Sequence, residues 1–239
     1  MSDQEVGERS PAPTVGGPFR TRIGAVASGA VFLASGASLV VYILTGAPMA
    51  LVLGLLVLAG AAVVALTVWG DPERRRRWLT RVRIGVPVGL VATVCYDLSR
   101  WVLVEVAGFT ASPFVAFPLF GQALVGDGAS GSLTALGVGF HLLNGIAFGI
   151  AYTVWFGHRP FWVGIGFALG LEAFMLAIYP GWLDMRTIGE FTQMSMLGHV
   201  AYGTALGLMA RGLLRRHERR AGAGPGPESG AARADGAGA

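Results

Sequence analysis

The sequence predicts an all-α polytopic membrane protein with six transmembrane helices. Of its 239 residues, 53% are hydrophobic and 13% are charged, whereas soluble domains carry about 25% charged residues. Six apolar runs occur, each close to the roughly 20 residues that a membrane-spanning helix needs. The chain has no lysine, and its arginines cluster between those runs. These observations indicate repeated membrane crossings, and they argue against a basic, water-exposed face that would bind nucleic acid.

The predicted spans divide the chain into four regions. Residues 1–19 are polar and rich in Pro and Gly, which predicts a disordered cytoplasmic tail. Residues 20–83 hold two spans without an ionisable group and an Arg-rich loop, which predicts a scaffold or an oligomer contact. Residues 84–212 hold a four-helix core, and residues 213–239 form a basic, then Ala/Gly-rich tail that is also predicted to be disordered. The six spans are 23–44, 49–69, 84–107, 133–156, 161–179 and 191–212.

Arginine placement predicts the orientation, because Arg and Lys accumulate in cytoplasmic connections. Arginines precede span one, fill the connection between spans two and three, occur between spans four and five, and follow span six. The alternate connections carry a single arginine, Arg186. We therefore predict a multi-pass protein of the plasma membrane with both termini in the cytoplasm. The apolar stretch 112–125, broken by Pro113 and Pro118, is too short to span and predicts an interfacial or re-entrant segment on the outer side.

Among the ionisable side chains of the predicted core spans, four share one depth, with one on each helix. Asp97, His141, Glu172 and His199 are each seven to ten residues from the predicted outer end of their span. That spacing corresponds to a depth of about 10–15 Å at a rise of 1.5 Å per residue. Charged groups in a membrane usually face the bundle interior or a wet cavity. The sequence therefore predicts a polar pocket that opens to the outside.

The core spans also show an internal repeat. The pattern His-x-x-polar-Gly-x-Ala-x-Gly begins at His141 and again at His199. An acid helix precedes each of these His helices. Gly89 comes eight residues before Asp97 in the first acid helix, and Gly164 comes eight residues before Glu172 in the second. The core is thus predicted to be two pseudo-repeated hairpins, each with one acid helix and one His helix.

Acid/base chemistry is the first interpretation of this constellation, with Asp97 or Glu172 as the acid and His141 and His199 as base or orienting groups. A metal or haem site at His141 and His199 is a second interpretation, although no cofactor is predicted. Pairs that only hold helices together are a third. Arg100 follows Asp97 by three residues, so the two can pair on one helix, and Arg100 is also a predicted substrate contact. The other predicted substrate contacts are Asn144, Tyr202, Gln193, Trp101 and Trp182.

Three functions are compatible with such a pocket. The first is a membrane-embedded enzyme of cyclase or isomerase type that acts on a lipid or isoprenoid-like substrate. The second is a proton-coupled carrier of a small molecule, and the third is a non-catalytic accessory or scaffold protein. The predicted partners are the lipid bilayer and a lipophilic small molecule, and no nucleic acid is predicted.

A family resemblance rests on three short motifs. These are Ala92-Thr93 in span three, His-x-x-x-Gly-x-x-x-Gly from His141 in span four, and Gly-His-x-x-Tyr-Gly-x-x-x-Gly from Gly198 in span six. With these motifs, residues 84–212 resemble the YagU-type multi-pass inner-membrane proteins of bacteria. The resemblance implies a helical membrane fold and carries no activity with it. The core of this chain holds more charge than that pattern requires, which favours a specialised ligand or reaction.

Overall fold

The computed structural model describes residues 17–110, 112–182 and 188–223, and throughout these ranges the regular structure is helical, without a strand. A short 3₁₀ turn, Val31–Leu33, joins the first two helices. The helices are α1 Gly17–Ala30, α2 Ala34–Thr45, α3 Met49–Val68, α4 Pro72–Ala107, α5 Ala116–Val125, α6 Ser130–Phe156, α7 Phe161–Leu176, α8 Tyr179–Trp182 and α9 Ile188–Gly222.

Four helical segments in the described part of the chain are long and apolar enough to cross a membrane: Gly24–Thr45, Met49–Val68, Pro72–Ala107 and Ser130–Phe156. Helix α3 buries few of its side chains, and Leu66 on it is 86% exposed. Apolar side chains that face outward in this way are typical of a surface in contact with lipid. The protein thus has the helical, multi-pass character of a membrane protein. Helix α7, with 16 residues, is shorter than a typical span, and α9 is long but carries polar residues in its first half.

The Arg-rich segment before predicted span three is helical, and the expectation that it forms a loop is wrong. Helix α4 begins at Pro72, so only residues 69–71 connect α3 to α4. The Asp71 carboxylate accepts hydrogen bonds from the backbone N–H groups of Glu73 and Arg74 at 3.0 and 3.2 Å. A capping aspartate followed by proline at the first helical position starts a helix strongly, and arginine continues it well. The predicted boundary between residues 83 and 84 therefore lies inside a helix.

The predicted boundary at residue 212 also lies inside a helix. Helix α9 continues through the basic segment to Gly222, so residues 213–222 are not a disordered tail. Residues 17–19 likewise belong to α1. The remaining parts of the two predicted tails, residues 1–16 and 224–239, lie outside the described residues.

Two helix pairs form the centre of the bundle: α4 packs along α6, and α7 packs along α9. Glycines allow the close approach in both pairs. A methyl group at Gly89 would lie 2.6 Å from the Gly145 carbonyl oxygen, and one at Gly164 would lie 2.9 Å from the Gly207 nitrogen. Small residues of this kind let helix backbones meet in lipid. Helix α4 also packs on α9 and joins the pairs, while α5 packs on α6.

The two ends of the bundle differ in character. The Arg-rich end is where α4 begins and α6 ends, and the α5 end is where α4 ends and α6 begins. Between the two ends, a buried apolar cluster fills the interior at the level of the glycine contacts. Its aliphatic members are Val88, Ala92, Ala168, Leu206 and Ala210. A second cluster, around Leu39, Met49, Phe120, Phe140 and Tyr179, closes the side of the α5 end.

Candidate functional site

A cavity of about 100 Å³ lies between the four core helices near the α5 end. Helices α4, α6, α7 and α9 supply its polar wall, and α5 with the residues before it supplies an apolar cover. Its polar and ionisable lining consists of Thr93, Tyr96, Arg100, His141, Asn144, Glu172, Ser195, His199 and Tyr202. Three of these four predicted residues, His141, Glu172 and His199, therefore line one cavity. The fourth, Asp97, does not line it but contacts His141.

Glu172 on α7 and His199 on α9 form a buried pair. The Oε2 atom of Glu172 lies 3.0 Å from Nδ1 of His199, and their side chains are 2% and 8% exposed. The same Nδ1 lies 2.9 Å from the carbonyl oxygen of Ser195, one turn earlier in α9. Because a carbonyl oxygen can only accept, Nδ1 carries the proton and donates it to both oxygens. No other described residue hydrogen-bonds to Nε2, which leaves that nitrogen for a ligand.

Asp97 on α4 and His141 on α6 form a second pair. Both carboxylate oxygens of Asp97 lie 3.0 Å from Nε2 of His141. The side chains are 24% and 17% exposed, so this pair is more open than the first. Here the acid occupies Nε2, and Nδ1 has no hydrogen bond to any residue that the structure describes. Each pair joins the acid helix to the His helix of one hairpin.

The ring of Tyr96 lies between the two histidines. Its centroid is 4.8 Å from the His199 ring and 5.9 Å from the His141 ring. The predicted single constellation of two acids and two histidines is therefore two separate pairs that share an aromatic wall. Gly198 makes room for this wall, because a methyl group there would lie 2.9 Å from the Tyr96 ring.

Arg100 does not pair with Asp97, contrary to the sequence-based expectation. Asp97 is engaged by His141, and the guanidinium carbon of Arg100 lies 4.8 Å from the centroid of the Tyr96 ring. Arg100 is 6% exposed, and its Nε has no hydrogen-bond partner among the described residues. The Oε1 atom of Glu172 is also buried without a partner there. Buried polar atoms are nearly always hydrogen-bonded, so a donor and an acceptor on the cavity wall point to a ligand or to water.

Asn144 and Tyr202 help to shape the cavity. Ser35 on α2 donates a 2.7 Å hydrogen bond to Oδ1 of Asn144, which fixes the amide between two helices. The Tyr202 hydroxyl donates to the Gly145 carbonyl oxygen at 2.8 Å. Tyr202 therefore bridges α9 to α6 with its hydroxyl already used, and its predicted role in substrate contact is limited to its ring.

A second, apolar cavity of about 310 Å³ adjoins the polar one. It lies between α2, α6 and α7, and among the described residues that line it only Asn144 and Tyr179 carry polar side-chain atoms. Five residues line both cavities: Asn144, Phe148, Leu171, Met175 and Tyr179. Phe174 on its rim is 55% exposed, so the apolar cavity reaches the lateral surface of the bundle. The apolar and the polar cavity are therefore direct neighbours that share part of their walls.

Helix α5 covers the polar cavity, in the place where the sequence predicts an interfacial or re-entrant segment. The Phe117 ring lies 5.1 Å from the His141 ring, and Phe120 stacks on Trp182 at 6.0 Å. At the same end, the Thr110 hydroxyl donates to Oε2 of Glu190 at 2.8 Å and ties the end of α4 to the start of α9. This cover places apolar side chains over the α5 end of the polar cavity.

Three predicted contact residues lie outside the polar cavity. Gln193 is exposed, Trp101 is 48% exposed, and neither lines the cavity. Their exposure shows that both side chains lie on faces of α9 and α4 that are turned away from the cavity. Trp182 contacts Phe120 and Tyr179 and belongs to the cover instead of the lining.

The predicted metal alternative needs both histidines and both acids around one point. Across the residues that the structure describes, no three His, Cys, Asp or Glu side chains come together. Each histidine already contacts its own acid, and Tyr96 separates the two pairs. The donor set for a metal or haem at His141 and His199 is therefore not assembled in this arrangement.

Sequence reasoning missed Tyr96 and Ser195. A signal for Tyr96 was present, since Thr93, Tyr96 and Arg100 recur at helical spacing on the face that continues from Gly89. Ser195 acts through its backbone carbonyl, which no side-chain pattern reveals.

Comparison with models of protein families, with curated proteins and with solved structures finds no match for this chain. The resemblance to YagU-type proteins therefore stays a prediction that rests on its motif residues.

Proposed function

We propose that this protein is a membrane-embedded enzyme that performs acid/base chemistry on a lipophilic substrate. The observation that carries the proposal is the Glu172–His199 pair on the wall of a polar cavity that adjoins an apolar one. A carboxylate that holds one ring nitrogen of a histidine orients the ring and stabilises its protonated form. The free Nε2 of His199 then gives or takes the proton.

The second pair supplies a further proton-transfer group on the other side of Tyr96. Two such groups suit a redox-neutral reaction in which one base removes a proton from the substrate and the other group delivers a proton to a different atom. Double-bond isomerisation and acid-initiated cyclisation are reactions of this type. The unpaired Nε–H of Arg100 would bind a carbonyl or anionic oxygen at the polar end of the substrate. The apolar cavity between α2, α6 and α7 would hold its hydrocarbon part.

The proposal includes a six-span topology with two pseudo-repeated hairpins, and a plasma-membrane location with cytoplasmic termini. Equivalent contacts in the two hairpins support the repeat: Asp97–His141 corresponds to Glu172–His199, and Gly89 packs on α6 as Gly164 packs on α9. The arginine distribution supports the orientation. Helix α7 would then cross with a short span that α8 extends.

Proton-coupled transport would use the same groups but needs a polar route to the Arg-rich end. Between the polar cavity and that end, the helix pairs meet through glycine backbones and a buried apolar cluster. We therefore favour catalysis over transport.

Deuterium transfer from solvent tests the proposal without knowledge of the substrate. The full-length protein in nanodiscs of bacterial polar lipids and polyprenols is incubated in D₂O, and mass spectrometry measures carbon-bound deuterium in each lipid. We expect His199→Asn to lower the rate of labelling about 100-fold or more. His158→Asn is the matched control, because His158 is exposed and lies away from the cavity. Absence of labelled lipid with the wild-type protein, or equal rates for the two variants, would contradict the proposal.

A further inference from the structure

A separate cavity of about 860 Å³ lies at the Arg-rich end of the bundle, between α1, α4 and the end of α6. Four arginines line it: Arg74, Arg77, Arg81 and Arg159. Arg77 and Asp97 are 20 residues apart on the same helix, which corresponds to about 30 Å. This cavity is therefore remote from the histidine pairs and plays no part in the proposed reaction.

Two of the four arginines are held in place by backbone carbonyls. Arg74 Nη1 donates to the Thr67 carbonyl oxygen at 2.9 Å, and Arg81 Nη1 donates to the Val154 carbonyl oxygen at 2.6 Å. Those carbonyls belong to the last turns of α3 and α6, which lack partners within their own helix. Each guanidinium has five N–H groups, so most of them stay available for a ligand.

Two tryptophans fix the walls of the same cavity. Trp78 Nε1 donates to the Ser28 carbonyl oxygen at 3.2 Å, and Trp155 Nε1 donates to the Val26 carbonyl oxygen at 3.0 Å. Both bonds attach α1 to the core helices. Tryptophan is enriched at the level of lipid head groups, where one side of the ring is apolar and the N–H is polar.

The charge of this cavity is not balanced by its own lining. No acidic residue lines it in the part of the chain that the structure describes. Glu73 lies at the rim, 3.5 Å from Arg77, and Asp71 lies 3.9 Å from Arg74. Arg159 makes no ion pair with a described residue. The lining thus presents four permanent positive charges beside apolar side chains such as Val68 and Phe156.

We propose that this cavity binds the phosphate group of an anionic lipid. Arginine binds phosphate oxygens through paired N–H groups, and basic pockets between membrane helices on the cytoplasmic side bind phospholipid head groups. The apolar wall beside the arginines suits the start of the acyl chains, and this combination favours a lipid over a free phosphate ion.

Lipid retention measured by native mass spectrometry tests the assignment. The full-length protein is released from nanodiscs that hold equal amounts of phosphatidylglycerol and phosphatidylcholine. We expect the wild type to retain phosphatidylglycerol preferentially, and Arg77→Gln/Arg159→Gln to weaken that retention about thirtyfold, roughly fivefold for each arginine. These two arginines do not bind helix carbonyls, so the fold should persist. Arg83→Gln/Arg216→Gln is the control, since both residues are exposed and neither lines the cavity.

A second arm adds inorganic phosphate at millimolar concentration. Retention that survives phosphate supports a lipid as the source of the bound group, and displacement by phosphate shows that the site takes a free phosphate ion and overturns the lipid assignment. Equal loss in both double variants, or no preference for phosphatidylglycerol in the wild type, overturns the site itself.

Discussion

Glu172 and His199 lie on different helices, and Oε2 of the acid is 3.0 Å from Nδ1 of the histidine in a setting that water hardly reaches. The Ser195 carbonyl oxygen accepts a hydrogen bond from the same Nδ1, so this nitrogen of His199 carries the proton. The arrangement gives His199 one occupied and one free nitrogen, which is what a proton-transfer group requires.

We expect the two members of this pair to be strongly coupled in stability. Glu172→Ala leaves the histidine without its buried acid, and breaking a buried pair in this way costs about 3–5 kcal/mol. The double variant Glu172→Ala/His199→Ala should lose less than the sum of the single losses. Unfolding in detergent, measured for the single and double variants, gives the coupling free energy. Purely additive losses would mean that the two side chains do not interact in the folded protein.

The glycine contact between α7 and α9 predicts a position-specific effect on folding. Gly164→Ala places a methyl group against the backbone of α9, where neither partner can yield, and should destabilise the protein by about 1–3 kcal/mol. Gly166→Ala on the same helix meets no atom within 4 Å and should be neutral or slightly stabilising. Thermal unfolding of both variants in detergent compares them. A similar loss at Gly166 would show that helix flexibility, and not close packing, explains the effect.

The apolar cavity predicts that a bulky residue on α2 blocks access to the polar cavity. Ala37 is exposed and lines the apolar cavity, so Ala37→Phe should fill it without disturbing the core. We expect at least tenfold less labelling of the protein by a photoreactive fatty alcohol, because the phenylalanine ring occupies the space that the alcohol needs. A tenfold loss corresponds to about 1.4 kcal/mol of binding free energy. Ala61→Phe on α3 is the control, since it is exposed and lies outside both cavities. Unchanged labelling of Ala37→Phe would place the lipophile elsewhere.

The cap at the start of α4 predicts a response to acid. The hydrogen bond from the Arg74 backbone N–H is the main cause that lowers the pKa of Asp71 below its ordinary value of 3.8. The stabilisation from the ionised cap is therefore present above pH 3.8 and is lost as the pH falls through the lowered pKa. Hydrogen exchange at the Glu73 and Arg74 amides should accelerate in that window relative to the middle of α4. In Asp71→Asn, which keeps a capping oxygen but does not titrate, this acceleration should disappear.

The repeated pattern around His141 and His199 indicated the position of the polar site. Polar groups in a membrane cost free energy unless they are paired, so they face one another inside the bundle. The acids at matching depth followed from counting along the spans, and the structure places each of them on a histidine. The pairing of Arg100 with Asp97 was wrong, because a histidine on a neighbouring helix competes for the same carboxylate. Gln193 and Trp101 were misplaced because depth in a span does not specify the helix face.

The sequence by itself determined the helical membrane character, the clustering of arginines and the identity of the four ionisable groups. These follow from composition and from spacing along one helix, which are local properties. The tertiary structure decided that the four groups form two pairs divided by Tyr96, that Ser195 sets the tautomer of His199, and that an apolar cavity adjoins the polar one. Each of these depends on the rotation and separation of neighbouring helices, which packing contacts such as Gly164 against α9 fix and which no single helix encodes.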